Sequence, residues 1–216
     1  MSIFEKKGFI KMLMHNKRDF DAAAAKWDEK PRRVRLAEDI FAAMTTHLPL
    51  STDWDVMELG CGTGLLTLRL APKVGNIVAL DGAKGMLSRL EEKLRETQKS
   101  NVRTVHIDLE RDELPCGPFH LVAAAMLLHH IPDPEPLIRS LREVLHPGGW
   151  IALADLDAED GSFHDDPTGL FHHGFSRERM TELLTDAGFA SVAVVNASEI
   201  IKGERRYPVL LTLGRR

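Results

Sequence analysis

The sequence predicts a doubly wound α/β domain, with a mostly parallel sheet, helices on both faces and an antiparallel strand at its end. Three observations predict it. Short apolar runs alternate with amphipathic stretches along most of the chain, the pattern of strands joined by crossover helices. A glycine-rich turn, "ELGCGTG" (58–64), links an apolar run to an amphipathic one. The last two apolar runs leave little room for a helix between them and should pair as a hairpin.

Each element has its own local cause. Residues 19–47 show helical apolar spacing, with alanines at 22–25 and then Val34, Leu36, Ile40 and Phe41. Pro31 divides that stretch in two, because proline lacks the N–H a helix interior needs. "WDVMEL" (54–59) is the first strand, and a helix from Thr63 to Leu70 follows, closed by Pro72. "NIVALD" (76–81) is the second strand and 83–97 a charged amphipathic helix. "VRTVHID" (102–108) and "FHLVAAA" (119–125) are the third and fourth strands. A proline-led helix covers roughly 135–145, "HPGG" (146–149) is a turn, and "WIALADL" (150–156) is the fifth strand. Residues 157–175 form a loop rich in Asp, His and Gly. Ser176 is the N-cap of a helix that runs to Ala187, since its hydroxyl can take a free N–H of the first turn. "ASVAVV" and "YPVLLTL" are the closing pair.

Composition narrows the class. The 216 residues are 44% hydrophobic and 28% charged, with a net charge of −4, which suits a globular domain and gives no basic surface for nucleic acid. No run approaches the ~20 apolar residues of a membrane span. The opening "MSIFEKKGFIKMLM" is basic but lacks the continuous apolar core of a signal peptide. Two cysteines, Cys61 and Cys116, have no metal-ligand spacing; a reduced, cytoplasmic setting is expected. Cys61 reads as a small filler in the glycine loop.

The glycine loop points to a ligand. A strand, a tight glycine turn and a helix leave free N–H groups at the strand's carboxyl end. Gly60, Gly62 and Gly64 are spaced G-x-G-x-G, one residue short of the dinucleotide fingerprint G-x-G-x-x-G. No lysine follows, which excludes a P-loop. Glu58 would repel a pyrophosphate but suits an ammonium. Asp81 ends the second strand about 20 residues on, where a carboxylate accepts bonds from ribose hydroxyls. Asp108 ends the third strand and is a candidate acceptor for an adenine amino group. Met86 is placed to pack on a purine. A nucleoside with an amino-acid tail describes S-adenosyl-L-methionine.

The motifs "VMELGCGTG", "VALDGAKGML", "IDLE", "FHLVAAAMLLHHIPDP" and "LREVLHPGGWIALADLD" resemble those of the class I S-adenosylmethionine-dependent methyltransferases. The resemblance is to the broad small-molecule group that includes the methyltransferases of quinone biosynthesis, and it runs from about Phe20 to Leu213. It implies a Rossmann-like seven-stranded sheet whose last strand is inserted antiparallel. It implies cofactor contacts at Gly60, Gly62, Asp81, Gly82, Met86, Asp108, Leu109, Ala125 and Met126. The opening "DFDAAAAKWDE" is similar to the family's cofactor-covering segment, with Trp27 where tyrosine is common. The sequence lacks the N-P-P-Y type motif of amino-group methylation on bases and amides.

The resulting expectation is a methyltransferase acting on a small molecule, with residues 1–50 a helical cap and 51–216 the catalytic domain. The cofactor-binding set is Trp27, Glu58, Gly60, Cys61, Gly62, Gly64, Asp81, Gly82, Met86, Asp108, Leu109, Ala125 and Met126. The family has no universal catalytic residue, because methyl transfer depends chiefly on alignment in a dry pocket. His129, after the fourth strand, is the candidate base; packing of the His129–His130 pair against Pro132 and Pro134 is the alternative. The 157–175 loop is expected to lie over the acceptor as a lid. His164, Asp165, His172 and His173 lack the spacing of a metal site. Two other readings stand beside this one: a cofactor-binding module without turnover, and a nicotinamide-dependent oxidoreductase, which the short glycine spacing disfavours.

Overall fold

The computed structural model describes residues 18–109 and 111–216. The basic opening stretch, part of the 1–50 cap and Glu110 of the "IDLE" motif lie outside the described residues.

Seven strands form one sheet in the order β3-β2-β1-β4-β5-β7-β6. They are β1 (Asp55–Leu59), β2 (Asn76–Asp81), β3 (Val102–His106), β4 (Phe119–Ala125), β5 (Leu145–Leu156), β6 (Ala190–Lys202) and β7 (Arg205–Arg215). The first five are parallel, while β7 runs antiparallel between β5 and β6. The helices are α1 (Phe20–Ala23), α2 (Pro31–His47), α3 (Thr67–Leu70), α4 (Lys84–Glu96), α5 (Pro134–Glu143) and α6 (Arg177–Asp186).

The alternation of side chains along a strand sorts the core into two layers. Val56, Ile77, Leu121, Ala123 and Ala154 face the side covered by α2, α3 and α4. Met57, Leu80, Val122, Ala124 and Leu153 face α5 and α6. Both faces are therefore apolar, which is why the parallel strands read as continuous apolar runs rather than alternating ones. Pro31 does not interrupt a helix. It opens α2 at the first turn, where its missing N–H costs nothing.

Four local expectations change. The helix after the glycine loop begins at Thr67, not Thr63. Gly64 has φ +82° and its N–H bonds back to the Cys61 carbonyl at 2.9 Å, so the chain is still turning there. β3 ends at His106, leaving Asp108 two residues beyond the strand. "HPGG" lies inside β5 as an irregularity, with pairing that jumps from Phe119–Leu145 to Leu121–Trp150. The hairpin strands extend to Lys202 and from Arg205, with Gly203 at φ +60° in the turn. The Ser176 cap forms as expected, its hydroxyl accepting from Arg179 N at 3.2 Å.

Gly64 explains why the loop tolerates no side chain at its third glycine. A Cβ there would stand 2.3 Å from Leu90 Cδ1 on α4, and Leu90 is fully buried. Gly64→Ala should cost about 2–4 kcal/mol, combining left-handed backbone strain with overpacking. Urea denaturation measures it, and an unchanged midpoint would contradict the packing described here.

The strand order reverses direction between β1 and β4. In open α/β sheets ligands bind in the crevice at that switch point, beyond the carboxyl ends of the strands.

Candidate active site

A cavity of about 560 Å³ opens at that place. Its floor is the successive strand ends: Gly60 and Gly62 after β1, Asp81 and Gly82 after β2, Asp108 and Leu109 after β3, and Met126 after β4. Met86 and Trp27 border it, as do His129, His130 and residues of the 157–175 loop, among them Phe163 and His164. Most of the residues predicted from sequence are therefore brought together on one wall.

Asp81 organises the glycine loop. Its Oδ2 accepts from Gly62 N at 2.7 Å and its Oδ1 from Ala83 N at 2.8 Å. Burial pushes its carboxyl above the ordinary value, and the two N–H groups oppose that rise. Each oxygen retains a further lone pair for hydroxyl donors. Gly62 sits at φ +54°, and a Cβ placed there would meet nothing within 4 Å. The open space beside the loop is thus on the cavity side, which fits the close approach of a ligand to backbone.

Four predicted residues do not reach the cavity wall. Glu58 alternates with Met57 and Leu59 along β1, so it points with Val56 toward the α2–α4 side, where it is 2% exposed. Burial pushes its carboxyl up to about 8, with the Thr67 hydroxyl opposing and Asp81 adding to the rise. Neither Glu58 Oε2 nor Thr67 Oγ1 has a hydrogen-bond partner of ordinary geometry. Glu58 is thus turned away from the cavity in which an ammonium would lie. Cys61 is buried in the core, and burial raises its thiol well above its ordinary value; it is a filler, not a nucleophile. Gly64 packs on α4 as described, and Ala125 packs against the core.

The N-terminal segment roofs the cavity. Phe20 and Trp27 pack on Ala24, Ala83 and Met86. Asp28 ties this segment down: it accepts from Thr63 Oγ1 at 2.5 Å and pairs with Lys93 of α4. Asp21 Oδ1 accepts from Gly85 N at 2.5 Å. The Arg33 guanidinium lies 3.4 Å over the Trp27 ring and donates to the Trp27 carbonyl at 3.1 Å.

His129 is held by a partner the sequence reading missed. Its Nδ1 lies 2.6 Å from Asp155 Oδ1, and its backbone N–H donates to Asp155 Oδ2 at 3.2 Å. Leu156 N also donates to Oδ1, at 2.8 Å. His129 and Asp155 are 1% and 3% exposed. Burial alone would raise the Asp155 carboxyl, but the His129 imidazole and these N–H groups outweigh it and hold it below the usual carboxylate range. With Nδ1 engaged by Asp155, Nε2 is the ring nitrogen left for another partner. The signal was present in "ALADL": an acid within an apolar strand must have a partner when buried.

Two more imidazoles flank this pair. His130 and His164 have ring centroids 4.2 Å and 5.1 Å from His129. Burial and the neighbouring His129 push both down to about 4, so both are neutral at pH 7. His130 Nδ1 donates to the Gly169 carbonyl at 2.7 Å, and Phe171 N donates to the His129 carbonyl at 3.0 Å. These bonds hold the 157–175 loop against the histidine turn. Among the described residues no group of three or more His, Cys, Asp or Glu is arranged to hold a metal ion, and no helix is long and apolar enough to cross a membrane.

Residues 56–149 match a family model described as a methyltransferase domain. The chain is 28% identical to an uncharacterized methyltransferase of Schizosaccharomyces pombe, over 77% of this chain and 64% of that one. It is 26% identical to the ubiquinone biosynthesis O-methyltransferase of Pseudomonas aeruginosa, over 64% of this chain and 61% of that one. The chain thus spans less than two thirds of the length of these relatives. Among solved structures, phosphoethanolamine N-methyltransferase 2 of Haemonchus contortus, in complex with S-adenosyl-L-methionine, superposes with a TM-score of 0.70 at 14% identity. That match covers 83% of this chain and 52% of the other.

Proposed function

We propose that this chain is a class I S-adenosylmethionine-dependent methyltransferase and transfers a methyl group to a small molecule that loses a proton to His129. The carrying observation is that His129, which lines the cavity, is paired behind it with the buried Asp155. S-adenosyl-L-methionine, the family's cofactor, supplies an electrophilic methyl group on a sulfonium when bound.

The chain's own residues do the rest. Gly60 and Gly62 let the amino-acid tail approach the backbone, and Asp81 accepts from the ribose hydroxyls. Asp108, Leu109 and Met86 border the base, Gly82 and Met126 complete the wall, and Trp27 closes the roof. In this reading the described part of the 1–50 cap, residues 18–50, covers the cofactor and 157–175 serves as the lid, which keeps water from the reacting atoms. Transfer of that methyl group to a nucleophile on the acceptor would leave the acceptor with a proton to lose. The acceptor's proton passes to His129 Nε2, and the carboxylate of Asp155 stabilises the imidazolium. An acceptor with a hydroxyl or another acidic proton needs such a base, whereas a free amine does not. A cytoplasmic setting belongs to the same proposal, supported by two free cysteines.

Asp81→Asn tests the cofactor half. The amide replaces one acceptor oxygen by a donor facing N–H groups and hydroxyls. S-adenosylhomocysteine should bind about ten- to a hundredfold more weakly by calorimetry. An unchanged dissociation constant would remove Asp81 from the site.

A further inference from the structure

The cavity mouth carries cations that the methyl-transfer reading does not use. Arg18, Lys30, Arg32 and Arg33 all border it, and among the described residues none of the four forms an ion pair. The arginines rest on aromatic rings instead: Arg18 is 5.7 Å from the Phe20 centroid, Arg32 5.7 Å from Phe163, and Arg33 3.4 Å from Trp27. Carboxylates are near, but each is engaged. Asp165 pairs with Lys202 at 2.8 Å. Asp166, Asp19 and Asp21 accept from Thr168 N, Ala22 N and Gly85 N. Clustered cations repel one another, and burial together with Arg18 and Arg32 lowers the Arg33 guanidinium to about 10.

The three arginines fall into two groups. Arg33 is fixed on the Trp27 roof, beside the Asp28–Thr63 link to the glycine loop. Arg18 and Arg32 lie on the histidine side. The Phe163 ring under Arg32 meets His164 at 4.7 Å, and His164 meets His129 at 5.1 Å. Arg18 is close enough to His130 and His164 to contribute to keeping both unprotonated. On the same side, His164 Nε2 is buried without a hydrogen-bond partner. A buried polar atom left unpaired is costly unless something satisfies it.

We infer that the methyl acceptor is an anion, and that its carboxylate or phosphate group sits between Arg18 and Arg32 with an oxygen on His164 Nε2. This rests on the methyltransferase reading above. Guanidinium groups suit such an anion because their fork matches its oxygens, and Asp19, Asp21, Asp165 and Asp166, which share the cavity lining, are each held by another donor. The acceptor's body lies along Phe163 and Phe171, with its acidic proton toward His129. Carboxylate and phosphate share this chemistry, so both are used as probes.

The experiment is calorimetry on the full chain saturated with S-adenosylhomocysteine, titrated at low salt with benzoate and, separately, with inorganic pyrophosphate. At least one should bind saturably at one site in the millimolar range or tighter, and added salt should weaken it. The Arg18→Gln/Arg32→Gln double variant should lose about tenfold or more of that affinity while holding S-adenosylhomocysteine as before. The preferred probe tells carboxylate from phosphate. No saturable binding of either, or equal affinity in the variant, overturns the inference. So does competition between the probe and S-adenosylhomocysteine, which would assign the cations to the cofactor's own carboxylate. Failure of S-adenosylhomocysteine itself to bind overturns instead the reading beneath, and the inference with it.

Discussion

His129→Ala is expected to lower turnover by about 10²–10⁴-fold and to leave the affinity for S-adenosylhomocysteine essentially unchanged. The asymmetry follows from position. The cofactor side of the cavity is built from the glycine loop and the ends of β1 to β3, whereas His129 stands after β4, next to His130 and His164. Its Nδ1 is committed to Asp155, so the nitrogen available for a proton is the other one. Release of S-adenosylhomocysteine, assayed with the first acceptor found to be turned over, measures the rate. Turnover equal to that of the unaltered chain would return the histidine pair to a packing role and leave alignment alone to account for catalysis. A fall in cofactor affinity as large as the fall in rate would show that the substitution had disturbed the fold of the cavity instead.

Glu58→Gln is expected to remove part of the pH dependence of stability. The folded carboxyl titrates at about 8, against an ordinary 4.5 in the unfolded chain. Below pH 4.5 both states are protonated, and the group's full contribution is present. Between 4.5 and 8 the unfolded chain ionises while the folded one does not. Stability is therefore lost as pH rises, by at most about 1.4 kcal/mol per pH unit from this residue. Above pH 8 the folded carboxyl ionises too and the slope ends. Glutamine keeps the shape of the neutral acid and cannot ionise. The variant should match the unaltered chain near pH 4.5 and become increasingly more stable than it toward pH 8. Urea midpoints across that range supply the comparison, and the difference between the two chains isolates Glu58 from every other titrating group. Parallel curves would mean that the buried carboxyl stays charged, with a cationic partner at hand.

The sheet, the glycine loop and the acids at the strand ends are legible along the chain. These are local properties: a strand declares itself by a short apolar run, a turn by glycine, and a loop residue just past a strand must lie at the sheet's carboxyl edge. Gly60, Gly62, Asp81, Asp108 and Met126 meet around one cavity for that reason. Which face of the sheet is covered by which helix, and what stands across from a given side chain, emerge with the folded arrangement. Glu58 precedes the loop in sequence, but the two-residue period of β1 turns it toward α3 and away from the cavity. Asp155 is 26 residues from His129 and meets it because β5 pairs beside β4. Arg18 and Arg32 reach the cavity because the N-terminal segment folds over the sheet. Such pairings depend on strand order and on the packing of one element over another, and no spacing along the chain encodes them.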